Sequence, residues 1–216
     1  MPAIWKFRLV ALLIMLIVGF ISSVNLAAEF LGPARPPLPW EINHSPTSEQ
    51  VSSAALAARI APFRSDLVSD HALALADQAL KSDIKGQPEI LNAVQSALKI
   101  APHESRMWLV LALVQTRTNP VDPLIGASLK MSYLTGPNQT ELVPIRLAAV
   151  TANNALSDAD LRELARSDVR ALLTRLPEQR QNLANDYARA SDIGKKFLEE
   201  NVAAVDPGSV NLLRKK

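Results

Sequence analysis

The sequence contains no cysteine and only seven glycines among its 216 residues. The lack of cysteine excludes disulfides, thiolate metal sites and cysteine nucleophiles. The few glycines form neither of the loops that hold nucleotide phosphates, G-x-G-x-x-G and G-x-x-x-x-G-K-[ST]. Thiol chemistry and nucleotide binding are therefore without support, and we expect no cofactor.

An excess of one charge is also missing from most of the chain. Lys6 and Arg8 are the only charges before Leu9, and the chain after residue 28 holds 21 basic and 21 acidic residues. A protein that binds DNA or RNA uses an excess of Lys and Arg to neutralise phosphates. We therefore expect no nucleic-acid partner, and the basic end at residues 214–216 is too short to change this.

The one long hydrophobic run is LVALLIMLIVGFISSVNLAA, residues 9–28, which has no charge. A helix of about 20 residues is as long as the hydrocarbon core of a bilayer is thick, about 30 Å. Because Lys6 and Arg8 precede the run, the positive-inside rule keeps residues 1–8 in the cytoplasm and exports the rest. The run predicts a single membrane-spanning helix.

A cleaved signal peptide begins with the same basic and apolar regions. Cleavage needs small residues at positions −3 and −1, and pairs such as Asn25/Ala27 and Leu26/Ala28 fit poorly. We therefore favour an uncleaved anchor. The alternative is a soluble periplasmic binding protein, released by cleavage near Ala28.

The remainder divides into a linker, a helical domain and a tail. Residues 29–50 contain five prolines, which predicts an extended linker that holds the next domain away from the bilayer. Residues 51–208 carry apolar side chains at helical spacing, and residues 209–216 form a basic tail. The fold class is all-α, with predicted helices over about 51–61, 66–83, 88–101, 105–116, 123–135, 140–155, 158–176, 177–190 and 193–205.

Three local sequence patterns add detail to the predicted helices. Met107–Val114 is continuously apolar but too short to span a bilayer, so we expect a buried helix that includes Trp108. Asp122 is expected to cap the next helix, with Pro123 in its first turn. Ser157, three residues before Asp160, is expected to cap a later one.

A period is visible in the middle of the chain. SALKIAP and MSYLTGP end at Pro102 and Pro137, 35 residues apart, and Trp108, Leu111 and Ala112 follow the W-x-x-L-G start of a tetratricopeptide helix. Residues 88–137 thus resemble a tetratricopeptide array, although Gly126, Ala127 and Met131 are offset by one position from its second helix. The Ala-rich chain also resembles membrane-anchored, tetratricopeptide-like envelope proteins of Gram-negative bacteria.

This resemblance implies a helical-hairpin solenoid that binds a protein segment on its concave face. It also implies an inner-membrane location with the helical domain in the periplasm, and a scaffold for an envelope assembly such as polysaccharide export or cell-wall machinery. The residues that we expect to contact a partner are Tyr133, Arg146 and Tyr187.

Catalytic and metal-binding patterns are weak. Ser96 and Lys99 spell S-x-x-K, but the companion S-D-N and K-T-G motifs of penicillin-binding enzymes are missing, so an envelope hydrolase is only an alternative. Asp158, Asp160 and Glu163 suit the first turn of a helix better than acid-base catalysis. The three histidines, His44, His71 and His103, lie too far apart in sequence for a metal motif, and we expect neither catalysis nor a metal.

Overall fold

The computed structural model describes residues 2–32, 46–81 and 88–213. These residues form helices and turns without a strand, which confirms the all-helical prediction. The chain divides into two compact units, residues 1–78 and 79–216. The range 51–208, predicted as one helical domain, is therefore shared between two units.

The first unit contains α1 (Pro2–Leu31), α2 (Ser48–Ile60) and most of α3 (Ser65–Lys81). Helix α1 extends past both ends of the predicted 9–28 run. A capping box that our sequence reading missed starts α2: Thr47 N donates to Gln50 Oε1 at 2.8 Å, and Gln50 N donates to Thr47 Oγ1 at 3.2 Å.

Helix α2 packs against the C-terminal part of α1. Ala28 is fully buried in a small apolar cluster with Ala57, Ala61 and Leu67. Small alanine side chains let the two helices approach closely here. The extended linker over 29–50, which would hold the helical domain away from the bilayer, stays a prediction. The middle of that linker, residues 33–45, lies outside the described part of the chain.

The second unit contains eight α-helices in its described part. They are α4 (Pro88–Ile100), α5 (Ser105–Thr118), α6 (Leu124–Thr135), α7 (Val143–Ala152), α8 (Ala159–Thr174), α9 (Asn182–Arg189), α10 (Asp192–Val205) and α11 (Val210–Leu213). Short 3-10 turns precede α7, α8, α9 and α11.

Helices α5 and α6 form an antiparallel hairpin. Ser128 Oγ donates to Gln115 Oε1 at 2.8 Å near the connection, and Ser132 Oγ donates to Ser105 O at 2.9 Å near the far end. Residues Met107, Leu109 and Val110 are fully buried, which confirms the predicted buried helix. Trp108 differs from its prediction: it is only half-buried and donates from Nε1 to Pro102 O at 2.7 Å. A solenoid of repeated hairpins stays a prediction.

Helix α7 lies at the centre of the second unit and contacts α5, α6, α8, α9 and α10. It is shorter than the predicted helix over 140–155, because Asn153 takes an extended backbone and its side chain accepts from Ala155 N at 2.8 Å. This asparagine turn ends α7 and starts a 3-10 turn over Asn154–Ser157.

Two end assignments also differ from the sequence reading. Asp158, rather than Ser157, caps α8: its Oδ1 accepts from Asp160 N at 2.8 Å and from Leu161 N at 3.2 Å, while Ser157 lies in the 3-10 turn. At the start of α6, Asp122 Oδ1 accepts from Leu124 N at 2.9 Å, as expected of a capping side chain, but the helix begins at Leu124 and Pro123 occupies the cap position. The predicted 209–216 tail contains α11, where Leu213 is buried, and residues 214–216 lie outside the description.

Candidate functional site

Helix α1 has an apolar surface that protein does not cover. Trp5–Leu31 is long and apolar enough to cross a membrane. Its large side chains are exposed along the whole length, for example Leu12, Leu16 and Phe20 at 61%, 62% and 71%. A soluble protein rarely exposes so large an apolar surface, which favours contact with lipid.

Two polar side chains in the apolar run of α1, Ser23 and Asn25, hydrogen-bond to the backbone of the helix itself. Ser23 Oγ donates to Gly19 O at 2.8 Å, and Asn25 Nδ2 donates to Ile21 O at 2.9 Å. Unpaired polar groups are expensive in hydrocarbon, and bonds of this kind remove most of that cost. The helix is therefore compatible with lipid along its apolar run.

A buried polar cluster in the second unit is centred on Arg146 of α7. Its Nε donates to Ser132 Oγ at 3.0 Å, and its Nη2 donates to Ser132 O at 2.5 Å and Gly136 O at 2.9 Å. The last carbonyls of a helix have no intrahelical partner, so this guanidinium completes the C-terminal end of α6. It also lies 5.0 Å from the centre of the Tyr133 ring, as a cation-π contact.

Asp168 of α8 faces the same cluster and is 4% exposed. Burial raises the pKa of its carboxyl to about 7, and Tyr133 and Arg146 oppose that rise. Burial also raises the pKa of Tyr133 well above its usual value and lowers the pKa of Arg146. The cluster thus combines a cation, a phenol and a carboxyl of reduced acidity.

Tyr133 and Asp168 are partners within this cluster, because a hydrogen bond between their side chains lowers the pKa of Asp168 against the effect of burial. One buried atom of the cluster, Arg146 Nη1, has no aligned hydrogen-bond acceptor among the described residues. Buried polar atoms are usually paired with protein or ordered water.

A cleft of about 420 Å³ opens beside Asp168. Arg170 and Arg175, both exposed, provide positive charge at this cleft. Polar side chains on other parts of its wall are those of Asn138, Thr140, Ser167 and Thr174. This wall suits an extended polar segment that carries carboxylates.

A second cleft of about 440 Å³ lies between the α5–α6 connection and the turn before α8. Lys130 contributes a cation there, and its Nζ is 2.6 Å from Asp160 Oδ2 and 3.5 Å from Asp158 Oδ2. Since two carboxylates already neutralise this lysine, the cleft beside Asp168 offers the more available positive charge.

The predicted partner-binding residues lie in two different environments. Arg146 and Tyr133 come together in the interior, at 0% and 3% exposure, so their surfaces are covered by protein rather than available to a partner. Tyr187 of α9 is only half-buried, and its hydroxyl hydrogen-bonds to Glu199 at 2.7 Å. Partner contact by Tyr187 stays a prediction.

Asp168 is the residue that our sequence reading missed. It shares the apolar face of α8 with Leu161, Ala165 and Leu172, at spacings of three and four residues. A carboxylate within an otherwise apolar stripe marks a buried ionisable group, and this signal is visible in the sequence.

Among the described residues, those considered for catalysis or metal binding do not form one site. Ser96 and Lys99 lie on the exposed side of α4. His103 is exposed, His71 is half-buried with its pKa lowered by burial and by Arg59, and His44 lies outside the described residues. Within the described ranges, no three His, Asp or Glu residues are grouped as metal ligands would be.

Comparison with known proteins identifies neither a family nor a function for this chain. No protein-family model, no curated protein and no solved structure matches this chain. Any function must therefore be argued from the two features described above, the apolar helix and the cleft beside Asp168.

Proposed function

We propose that this chain is a single-pass membrane protein whose second unit binds a carboxylate-bearing protein segment in the cleft beside Asp168. The main support for this proposal is the exposed apolar surface of α1. The run of 20 uncharged residues, in which Ser23 and Asn25 hydrogen-bond to the helix backbone, favours a hydrocarbon environment, and Lys6 and Arg8 favour a cytoplasmic N-terminus. We place the protein in the inner membrane of a Gram-negative bacterium, with the helical domain in the periplasm.

The packing of Ala28 supports an uncleaved helix. Cleavage near Ala28 would remove the side chain that Ala57 and Ala61 bury, and would expose the apolar face of α2. A retained α1 keeps this contact. The released periplasmic protein is therefore the weaker alternative.

The absence of cysteine permits a direct test of topology. Single cysteines at Ala3→Cys and Ser52→Cys, introduced into the full-length chain, are treated with a membrane-impermeant maleimide in cells whose outer membrane has been permeabilised. We expect labelling of Ser52→Cys alone, and labelling of Ala3→Cys only after lysis. A mature protein that starts near Ala28 would contradict the anchor.

Binding is attributed to the cleft because Arg170 and Arg175 provide two guanidinium groups beside several hydroxyl and amide groups. Guanidinium groups bind carboxylates with bidentate hydrogen bonds. A tetratricopeptide-like scaffold in an envelope assembly would use such a groove to hold an extended segment, and the anchor would raise its local concentration at the membrane. This mode of action requires no covalent step.

Cross-linking in intact membranes tests the binding. The tagged full-length protein is compared with the double variant Arg170→Glu/Arg175→Glu and with a matched control, Arg189→Glu/Lys196→Glu, on exposed positions of α9 and α10. We expect a reproducible set of envelope proteins that the cleft variant loses and the control keeps. Equal capture by all three would exclude the cleft.

The competing enzyme hypothesis is an envelope hydrolase that uses Ser96 and Lys99. Their solvent-exposed position on α4 provides little of the water exclusion that activates a nucleophile. The variant Ser96→Ala/Lys99→Ala should keep full function in cells if the protein is a scaffold. Loss of function with an unchanged fold would instead favour the hydrolase.

A further inference from the structure

The corner between α2 and α3, residues 60–64, carries an exposed aromatic side chain. Phe63 is 94% exposed, more than any other large hydrophobic residue in the described part of the chain. Ile60 and Pro62 lie beside it, so the corner presents an apolar tip. Exposure of these apolar side chains to water is unfavourable, which favours an apolar environment around the corner.

The position of the corner along α1 is fixed within the first unit. Ala57 and, within the corner, Ala61 pack with Ala28 in one apolar cluster. A groove of about 390 Å³ between the corner and α1 is lined on the α1 side by Phe20, Ile21, Val24 and Asn25. These residues precede Ala28 in the chain, so the corner lies alongside the last two turns of the apolar run.

The depth of the corner follows from the rise of a helix. The apolar run ends at Ala28, and at 1.5 Å per residue Phe20 lies about 12 Å and Val24 about 6 Å inside that end. If α1 spans a bilayer, the corner is at the level of the headgroups and the upper acyl chains. Aromatic and apolar side chains of peripheral segments enter membranes to about 5–10 Å.

Arg64 is the one charge in the corner, and it is directed away from the hydrocarbon. Its Nη1 lies 2.7 Å from Glu29 Oε2, and its guanidinium also pairs with Asp66. Glu29 is the first charged residue after the apolar run, so the long arginine side chain reaches towards the water. Snorkelling of this kind lets a basic residue lie at the membrane interface.

We propose that the corner Ile60–Arg64 inserts into the outer interface of the membrane that α1 spans, with Phe63 at the boundary between headgroups and acyl chains. This inference rests on the proposed function, because α1 sets the depth. Lipid is the occupant since the groove borders the exposed surface of α1 and is lined mainly by apolar side chains. The corner then fixes the orientation of the first unit against the bilayer.

Depth-dependent quenching of a single tryptophan tests the insertion. Phe63→Trp is made in full-length protein that also carries Trp5→Phe, Trp40→Phe and Trp108→Phe, and is reconstituted in phosphatidylcholine vesicles. The lipids are brominated near the headgroup or deep in the acyl chain. We expect blue-shifted emission that shallow bromines quench more strongly than deep ones. Circular dichroism checks that the helical content is unchanged.

Two matched variants separate this inference from the proposed anchor. Leu16→Trp, in the middle of the apolar run, should be quenched most strongly by deep bromines. Ser52→Trp is exposed on α2 beyond Ala57 and away from the corner, and should not be quenched.

Deep quenching of Leu16→Trp together with red, unquenched emission from Phe63→Trp would overturn the insertion and leave the anchor intact. No quenching of Leu16→Trp would overturn the anchor, and the insertion with it. Quenching of Ser52→Trp as strong as that of Phe63→Trp would also overturn the insertion, because the corner would not be distinct from the rest of α2.

Discussion

Helices α1 and α5 both contain uncharged apolar stretches, yet only α5 is buried by protein. In α5, Leu109 and Val110 are fully buried between neighbouring helices, whereas in α1, Leu12 and Leu16 are more than half exposed. The two helices differ in length as well, 14 residues against 30. Apolar character alone thus does not make a helix part of a core, and length relative to a bilayer separates the two cases.

The sharpest test of this comparison removes one leucine from each helix. Leu109→Ala should lower the free energy of unfolding of the second unit by about 2–5 kcal/mol, because it leaves a cavity in a packed core. Leu16→Ala should leave that unfolding unchanged. Urea unfolding of the full-length protein in detergent micelles, followed by Trp108 emission in a Trp5→Phe/Trp40→Phe background, measures both. Equal shifts would contradict the comparison.

The second test of this comparison uses glycines that lie at close or at open helix contacts. A Cβ at Gly194 would collide with the carbonyl group of Thr151, since the start of α10 lies directly against the end of α7. Gly194→Ala should cost about 1–3 kcal/mol in the same unfolding experiment.

The control is Gly126→Ala, where the nearest atom to an added Cβ is that of Ala155 at 3.9 Å, and this change should stabilise α6 by up to about 1 kcal/mol. In α1, Gly19 has nothing within 4 Å of an added Cβ, so Gly19→Ala should be tolerated. Destabilisation at Gly126 as large as that at Gly194 would show that close helix approach is not the cause.

A buried carboxyl distinguishes the second unit from the uncharged run of α1. The pKa of Asp168 is about 7 in the folded state, compared with about 3.9 when unfolded, so between these values the folded state binds more protons. The free energy of unfolding should therefore fall as the pH rises from about 4 to 7. Asp168→Asn should remove up to about 1.4 kcal/mol per pH unit from that slope.

Urea unfolding at several pH values measures the slope, with Glu178→Gln at an exposed position as the control. Burial raises the pKa of Asp186 to about 6, so in each variant this carboxyl makes its own contribution to the pH dependence of the free energy of unfolding below that pH. An unchanged slope in Asp168→Asn would mean that this carboxyl does not titrate differently in the two states.

The smallest expected effect concerns the ion pair of the first unit. Glu29→Gln removes the partner that lies 2.7 Å from Arg64, while Asp66 remains to pair with it. Exposed ion pairs contribute about 0–1 kcal/mol, so hydrogen exchange in α2 should change by less than that and less still at high salt. A larger change would mean that this pair, rather than the alanine cluster, holds α2 against α1.

The sequence anticipated the elements whose signals are local. The 9–28 run, the buried stretch around Leu109 and the Asp122 hydrogen bond at the start of α6 depend on neighbouring residues, and the structure contains each of them. Arg146 was expected at a binding surface because nothing local shows that it completes the end of α6, which lies ten or more residues earlier in the chain. The site beside Asp168 needed two separate segments, residues 137–143 and 167–175, to come together.

By itself, the sequence determined that the protein is helical and contains one helix able to span a bilayer, since periodicity and run length are properties of contiguous residues. Only the tertiary structure decided that α2 returns to pack on Ala28, that Arg146 and Tyr133 are interior, and that Phe63 is exposed beside α1. Those outcomes depend on which distant surfaces meet, and on small side chains that allow close approach.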